Sequence, residues 1–517
     1  MPTQNSTLPL DANGQPYHRT WLVLTLLVGT FTTFITQTLL TTAFPTLMAD
    51  FHISATAVQW LTTGFMLIMG IMIPVSAWLL TRINSKYLYL TAMLIFGLGT
   101  TLAYFAVNFQ MLLIARMIQA MGVGISAPVF QTIMSSVYPP EKRGSAMGTA
   151  GIVIGLAPAI GPTLSGWIID NYSWRALFLF ILPINILVII VSFFTLRKVL
   201  PTSKQPIDWW SVLISTIGFG SMLYGFSSVG NAGWGDPVVL TTLVIGLIFI
   251  GLFVWRQLHM DQPLLELRVF KIPAFTLSAI LTALAYMAMM GVEMILPMYI
   301  QTVLGRSAMD SGLILLPGAI MMGIMSPITG RIFDHIGARR LAMTGMLLLT
   351  LGTAFFLSIS ATTPILWIIV VYAIRMFGLT MVTMPVTTTG INALPFRLIS
   401  HGTAANNTLR QVAASMGTAV LISVYSSVAK WQMPGHQLLT QAPLKYRQDG
   451  ITATLTGYHM AFVVSLIFCA IGFGITFFLK ANHSKPLVRR MMPHDHCLTN
   501  SGNLCLCWHD DFFTGRP

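Results

Sequence analysis

The stretch Gly148-Thr-Ala-Gly151-Ile-Val-Ile-Gly155-Leu-Ala-Pro158-Ala-Ile-Gly161-Pro162-Thr-Leu-Ser-Gly166 is apolar and free of charge. A helix advances about 100° per residue, so Gly148, Gly151, Gly155, Pro158, Pro162 and Gly166 fall within one arc of about 80°. A helix over this stretch therefore presents a face almost without side chains. Such a face lets a second helix approach closely, and the two prolines remove backbone donors and bend the helix. Ordinary small-residue packing in a membrane is the plain alternative; six positions in one stripe favour a specialised interface.

The same apolar character extends along the chain. Of 517 residues, 55% are hydrophobic and 8% charged, where a soluble protein of this size carries about a quarter charged residues. The solvent of this chain is therefore largely lipid. A hydrocarbon core of roughly 30 Å takes about 20 apolar helical residues to cross. Fourteen runs qualify, near 20–44, 57–80, 87–106, 109–134, 143–168, 175–197, 209–230, 238–258, 273–304, 311–333, 340–360, 363–388, 402–427 and 457–480. Lipid offers an open backbone no partner, so these are read as helices and the fold as an all-α integral membrane protein.

Charge sets the orientation. With the N-terminus inside, twenty of the 28 Lys and Arg residues fall on the inner side, and only Arg175, Arg306, Lys430, Lys445 and Arg447 lie outside. The positive-inside rule thus predicts both termini in the cytoplasm and an even number of spans in the inner membrane. The net charge of +13 is dispersed over short loops without a basic stripe, so nucleic acid is not an expected partner. Four cysteines, three of them in the tail, give no disulfide framework.

A weak internal repeat is visible. Arg116 precedes Gly144 by 28 residues and Arg375 precedes Gly402 by 27, each Arg within an apolar run and each Gly opening the next. This divides the chain into an N-terminal segment (1–19), a six-helix bundle (20–200), two inserted helices (201–260), a second six-helix bundle (261–480) and a tail (481–517). Paired halves rocking about a central site are a common transporter plan; chance similarity between apolar segments is the alternative.

One carboxylate, Glu293, lies deep in a span. A charge at that depth costs about 2.5–3.5 kcal/mol on insertion scales, so it should face a cavity or a partner. A carboxyl group able to gain and lose a proton there is what proton coupling requires; a structural ion pair is the alternative. Tyr286, Met289 and Met290 share its helical face, and methionine gives an adaptable surface for varied lipophilic substrates. Thr33, Gln37 and Thr41 form a polar face at i, i+4 spacing, to line a cavity or to bond neighbouring helices. Arg116 and Arg375 should face the bundle interior, whereas Arg410, eight residues into its run, is expected to snorkel toward the cytoplasm. No Gly-Lys dipeptide exists to supply a phosphate-binding lysine, so an ion gradient rather than ATP should drive any transport.

The sequence pattern Gly151, Gly155, Pro158, Gly161, Pro162 and Gly166 resembles the antiporter motif of the drug:proton antiporters of the major facilitator superfamily. Gly330-Arg331-Ile-Phe-Asp334-His-Ile-Gly337-Ala-Arg339 resembles that superfamily's gating loop; the N-half segment around Arg82 keeps the basic residues but has Thr81 in the acidic place. Further matches are Gln59-Trp60-Leu-Thr-Thr-Gly64, Leu113-Ile-Ala-Arg116-Met-Ile-Gln119, Leu296-Pro297-Met-Tyr299-Ile-Gln301 and Asn407-Thr-Leu-Arg410-Gln411. They span most of residues 20–480 and resemble the fourteen-helix EmrB/QacA type, particularly its lincomycin-resistance-like members.

The resemblance implies a major-facilitator fold and proton-driven efflux of lipophilic or amphiphilic drugs. It places Arg116, with Gln119, in proton transfer beside Glu293, whose coupling role rests on its depth, and makes Arg375 the weaker counterpart; Gln119 and Arg375 are expected to line the cavity. Many relatives carry an acid in the first helix where this chain has Thr36, which removes one carboxylate contact for cationic drugs. Lipid, small lipophilic substrates and protons are the expected partners of a functional monomer, with no cofactor, no metal and no enzymatic activity. Export of an endogenous metabolite, amino acid or lipid remains the alternative, and a receptor on the same fold a more distant one. The tail residues His494, His496, Cys497, Cys505, Cys507 and His509 match no zinc-finger spacing.

Overall fold

A computed structural model describes residues 14–53, 55–200, 202, 208–434 and 442–479. The tail and its Cys/His residues lie outside the described residues. The apolar runs become helices α1 (Arg19–Leu39), α3 (Ala55–Arg82), α4 (Ser85–Tyr104), α5 (Phe109–Val137), α6 (Arg143–Asn171) and α7 (Ala176–Thr195), with a short α2 (Phe44–Phe51) after α1. The inserted pair is α8 (Trp209–Ala232) and α9 (Pro237–His259). The second set is α10 (Pro273–Thr302), α11 (Ala308–Ile336), α12 (Ala338–Phe355), α13 (Ile365–Asn392), α14 (Ile399–Gln432) and α15 (Pro443–Thr476). Thirteen of these helices are long and apolar enough to cross a membrane. α6, with 29 residues and about 43 Å of length, completes fourteen. The face where α1 begins is called proximal below, the opposite face distal.

Two cores form. One gathers Leu26, Phe96, Phe130, Ile154 and Phe178 from the first six spans. The other gathers Leu296, Leu349, Val382, Leu421 and Phe462 from the last six. Each half is knit by close helix pairs. A Cβ on Gly122 of α5 would stand 2.6 Å from the Ala92 carbonyl oxygen in α4, and one on Gly378 of α13 would stand 2.8 Å from the Leu349 amide in α12.

α9 is apolar nearly all round, with Leu247 66% and Trp255 62% exposed, as befits a helix that meets lipid. Its proximal end is clamped to α8. Arg256 donates from Nε and Nη2 to the Asp208 carboxylate at 2.7 and 3.0 Å, and Gln257 donates to Ser211 Oγ at 2.6 Å. The hydrogen bond and charge of Arg256 hold the Asp208 carboxyl below its ordinary value. The clamp is therefore intact at neutral pH and is lost only as pH falls below the usual carboxylate range.

The structure corrects two span boundaries. α15 begins at Pro443 rather than near 457, and α14 continues to Gln432. Hydropathy marks only the lipid-crossing part, whereas both helices run on past it through Lys430, Lys445 and Arg447. Aromatic stacking holds these two helices together at the distal end: Tyr425 lies 4.4 Å from Tyr458, which packs edge-on against Tyr299 of α10 at 5.7 Å.

Candidate functional site

The seam between the halves is built on the α6 glycines. α6 runs unbroken as helix through both prolines, and α11 lies along it. A Cβ on Gly148 would stand 2.6 Å from the Ser326 carbonyl oxygen and 3.0 Å from the Pro327 Cα; one on Gly155 would meet the Met322 Sδ at 2.8 Å. Gly144 and Gly151 face Asp334 and Ser326 in the same way. Not every motif position contributes. Gly161 faces α1, where a Cβ would lie 3.2 Å from the Ile35 carbonyl, and Gly166 has nothing within 4 Å. The side chains of Pro158 and Pro162 lie outside what is described. The seam is thus tight at its proximal end and relaxes toward the distal one.

Three polar contacts close the proximal end. Gly144 and Ser145, at the start of α6, donate their amides to Asp334 Oδ1 and Oδ2 at 3.0 and 2.9 Å. A carboxylate at a helix N-terminus satisfies orphan donors and meets the positive end of the dipole. Arg143 donates to Asn392 Oδ1 at 2.8 Å, and Asn407 of α14 donates to Gln131 Oε1 of α5 at 2.9 Å, both buried. Elsewhere in this loop, Gly330 packs on Gly144, Gly337 turns the chain at φ 79° and ψ 173°, a region essentially confined to glycine, and Arg331 is exposed. Arg339 is half-buried at the start of α12. The opposite seam is different. Thr81 donates to the Trp78 carbonyl of its own helix, Arg82 lies over the Trp78 ring at 5.5 Å, and the start of α14 has no side-chain cap.

Inside the N-half, Arg116 is fully buried. It donates to Gln119 Oε1 at 2.9 Å, to the Thr36 carbonyl at 3.2 Å and to the Leu61 carbonyl at 3.4 Å, and lies 4.2 Å from the Phe65 ring centre. Gln119 passes the network on to Thr100 at 2.8 Å. Arg375 holds the matching place in the C-half, donating to the Ala288 carbonyl of α10 at 2.6 Å and to Thr353 Oγ1 at 3.1 Å. In both halves an arginine thus braces a carbonyl of that half's first helix, and each keeps one guanidinium nitrogen without a protein partner. Glu293 lies within electrostatic reach of Arg375, and its Oε2 is buried without a hydrogen-bond partner.

Several expected cavity residues are sealed. Thr33 is fully buried and bonds the Thr30 carbonyl of its own helix, so it lines nothing here. Thr41 sits in a 3-10 turn beyond the end of α1, which breaks the expected i, i+4 face, and its side chain is outside what is described. Gln119 and Arg375 are braces with no exposure, and Tyr286 is nearly buried at 7%. Gln37, Met289 and Met290 remain half-buried. Arg410 does not snorkel: it turns inward, its Nη1 3.2 Å from the Tyr286 hydroxyl and its guanidinium 4.7 Å from that ring's centre. Among the described residues no cluster of three metal-ligating side chains forms.

Residues 26–418 match the Major Facilitator Superfamily. The chain belongs to this superfamily. The uncharacterized MFS-type transporter YcnB of Bacillus subtilis is 47% identical over 466 residues, 90% of this chain and 96% of YcnB. The lincomycin resistance protein LmrB of Listeria monocytogenes is 38% identical over 468 residues, 90% of this chain and 98% of LmrB. Among solved structures, the human organic anion transporter MFSD10 superimposes with a TM-score of 0.64 at 14% identity, covering 89% of this chain and all of that one; this likeness concerns the fold. The superfamily chain is accordingly a multi-pass membrane transporter and not an enzyme.

Motif reading of this facilitator quoted Asn407 without its contact and missed Gln131, Arg143 and Asn392, which close the seam with it. The available signal was an amide side chain deep in an apolar run, as at Gln131 and Asn407. The latch makes a prediction. Asp334→Asn removes the charge of the cap, worth about 1 kcal/mol at a helix N-terminus, and turns one of its two accepting oxygens into a donor that faces an amide N–H, and so shifts the closed-to-open ratio roughly fivefold or more. Labelling of a cysteine placed at half-buried Thr149 by an impermeant maleimide should rise by that order from the proximal side.

Proposed function

We propose that this chain is a proton-driven exporter of lipophilic or amphiphilic compounds, working by alternating access as a monomer in the cytoplasmic membrane. The excess of Lys and Arg on the proximal side supports placing that face and both termini in the cytoplasm. In this reading 20–200 and 261–480 are the moving halves, and 201–260 is an added pair.

The observation that carries the coupling is Glu293. It is a membrane-embedded carboxylate with one oxygen unpartnered, beside the half-buried Met289 and Met290 and within reach of Arg375. A carboxyl group held next to a fixed cation, rather than locked into a bidentate pair, is able to change protonation and with it the balance of charge between α10 and α13. Arg116, whose charge is fixed, responds by holding α1 and α3 through their carbonyls rather than by carrying the proton.

The relative's name makes lincomycin the first probe. Purified transporter is reconstituted in liposomes, and uptake is driven by an acid interior. Accumulation that collapses with an uncoupler supports the reading; accumulation indifferent to both the pH gradient and the uncoupler, across lincomycin and a panel of lipophilic dyes, contradicts it.

A further inference from the structure

The charges deep in the described spans are Arg116, Arg375, Arg410 and Glu293. Arg375 and Glu293 sit within reach of each other. Arg116 is enclosed by carbonyls, Gln119 and the Phe65 ring, with no exposure. Arg410 differs from these on both counts: it is half-buried, and no carboxylate faces it. The ion pairs among the described residues are Arg256–Asp208 and Arg268–Glu266, both outside this region.

Its position is defined by its neighbours. Arg410 lies about 16 Å along α14 from Ile399 and Tyr286 about 20 Å along α10 from Pro273, so both stand near the middle of the membrane. Three residues before Arg410, and therefore on the same helical face, Asn407 reaches across to Gln131 of the other half. Arg410 thus stands one turn distal to the proximal seal, on the side of α14 that looks at the N-half. Tyr286 holds it there through ring and hydroxyl. Met289, Met290 and then Glu293 continue the same face of α10 toward the distal side. Of the guanidinium donors only one is bonded to Tyr286; none of the remaining nitrogens is a buried orphan, so they stay accessible to a further acceptor.

We propose that Arg410, presented on the Tyr286 ring, binds an anionic group of the cargo. The transporter then selects amphiphiles bearing a carboxylate or a similar anion over their neutral counterparts, the apolar body resting on Met289 and Met290. An arginine at this depth, free of any acid and braced on an aromatic face, is an unfilled half of a charge-assisted hydrogen bond. A carboxylate taken from water completes it in a water-poor setting where such bonds are strongest. The proposal deepens the export reading and rests on it for the direction of movement, but not for binding.

The test uses the full chain in phosphatidylcholine nanodiscs, with dansyl-aminoundecanoic acid and its methyl ester as probes. Wild type should bind the acid roughly tenfold or more tightly than the ester, the order expected for a charge-assisted hydrogen bond. Arg410→Gln should erase that ratio with ester binding retained; Arg410→Lys should preserve most of it. Tyr286→Phe, which keeps the ring and removes the hydroxyl, should lower it by a smaller factor and carries the test together with the wild-type ratio if Arg410→Gln fails to fold. Equal binding of acid and ester by wild type, or an unchanged ratio in Arg410→Gln, overturns the proposal. Binding is read without a pH gradient. A wild type that prefers the acid but moves it on no gradient therefore sinks the export reading alone, and gradient-driven export without acid preference sinks this one alone.

Discussion

Glu293→Gln should abolish gradient-driven accumulation while leaving substrate exchange across the membrane intact. Glutamine keeps the size and hydrogen-bonding shape of the protonated acid but cannot lose a proton, so α10 is fixed in one of its two charge states. Arg375 keeps its bonds to Ala288 and Thr353, so the brace of the C-half survives the change. One pH unit is worth about 1.4 kcal/mol per proton, which permits roughly tenfold accumulation per coupled proton. In liposomes with a one-unit gradient, wild type should approach that ratio or its multiple, and the variant should stay at equilibration. Counterflow of labelled against unlabelled substrate should persist, which separates lost coupling from lost folding. Full gradient-driven accumulation by the variant would remove Glu293 from the mechanism.

The second large effect belongs to the seam. Gly148→Leu places a side chain against backbone, 2.6 Å from the Ser326 carbonyl oxygen and 3.0 Å from the Pro327 Cα, atoms that cannot rotate away. Overpacking of this kind costs about 1–3 kcal/mol, and here it falls on the proximally closed state, which shifts the conformational balance by up to about a hundredfold. Export should fall accordingly with the protein still inserted. Gly155→Ala meets only the Sδ, Cγ and Cε of Met322, a flexible chain able to give way, and should be mild. Gly166→Leu enters open space and should be near neutral. That graded order, read from export at matched expression, is a stronger test than any one variant; an effect at Gly166 equal to that at Gly148 would contradict the geometry.

What the sequence disclosed, and what it hid, follows from what each signal measures. Apolar runs located every span, because lipid imposes a minimum apolar length. They misplaced the start of α15, since nothing in hydropathy tells where a helix ends once it has left the membrane. The glycine arc identified the face of α6 that meets α11, but an arc fixes angle and not depth, so it did not separate Gly148, against backbone, from Gly166, against nothing. Polarity singled out Thr33 and Gln37, and a motif Gln119, without saying whether each looks at a cavity or at its own bundle; Thr33 and Gln119 look inward to the bundle. Arg410 was assigned by depth alone, whereas its partner Tyr286 stands 124 residues away in sequence on another helix.

Transport by alternating access requires the two halves to exchange which end of their seam is closed. Pulsed dipolar distances between spin labels measure this directly, using exposed Glu141 and Arg397 beside the Arg143–Asn392 contact on the proximal side, and exposed Tyr172 and Met309 at the distal ends of α6 and α11. Across a pH titration in nanodiscs, one mean distance should lengthen as the other shortens, whereas in Glu293→Gln both distance distributions should keep both states and cease to depend on pH. Two distances that stay fixed at every pH in the wild type, or that lengthen and shorten together, would contradict it.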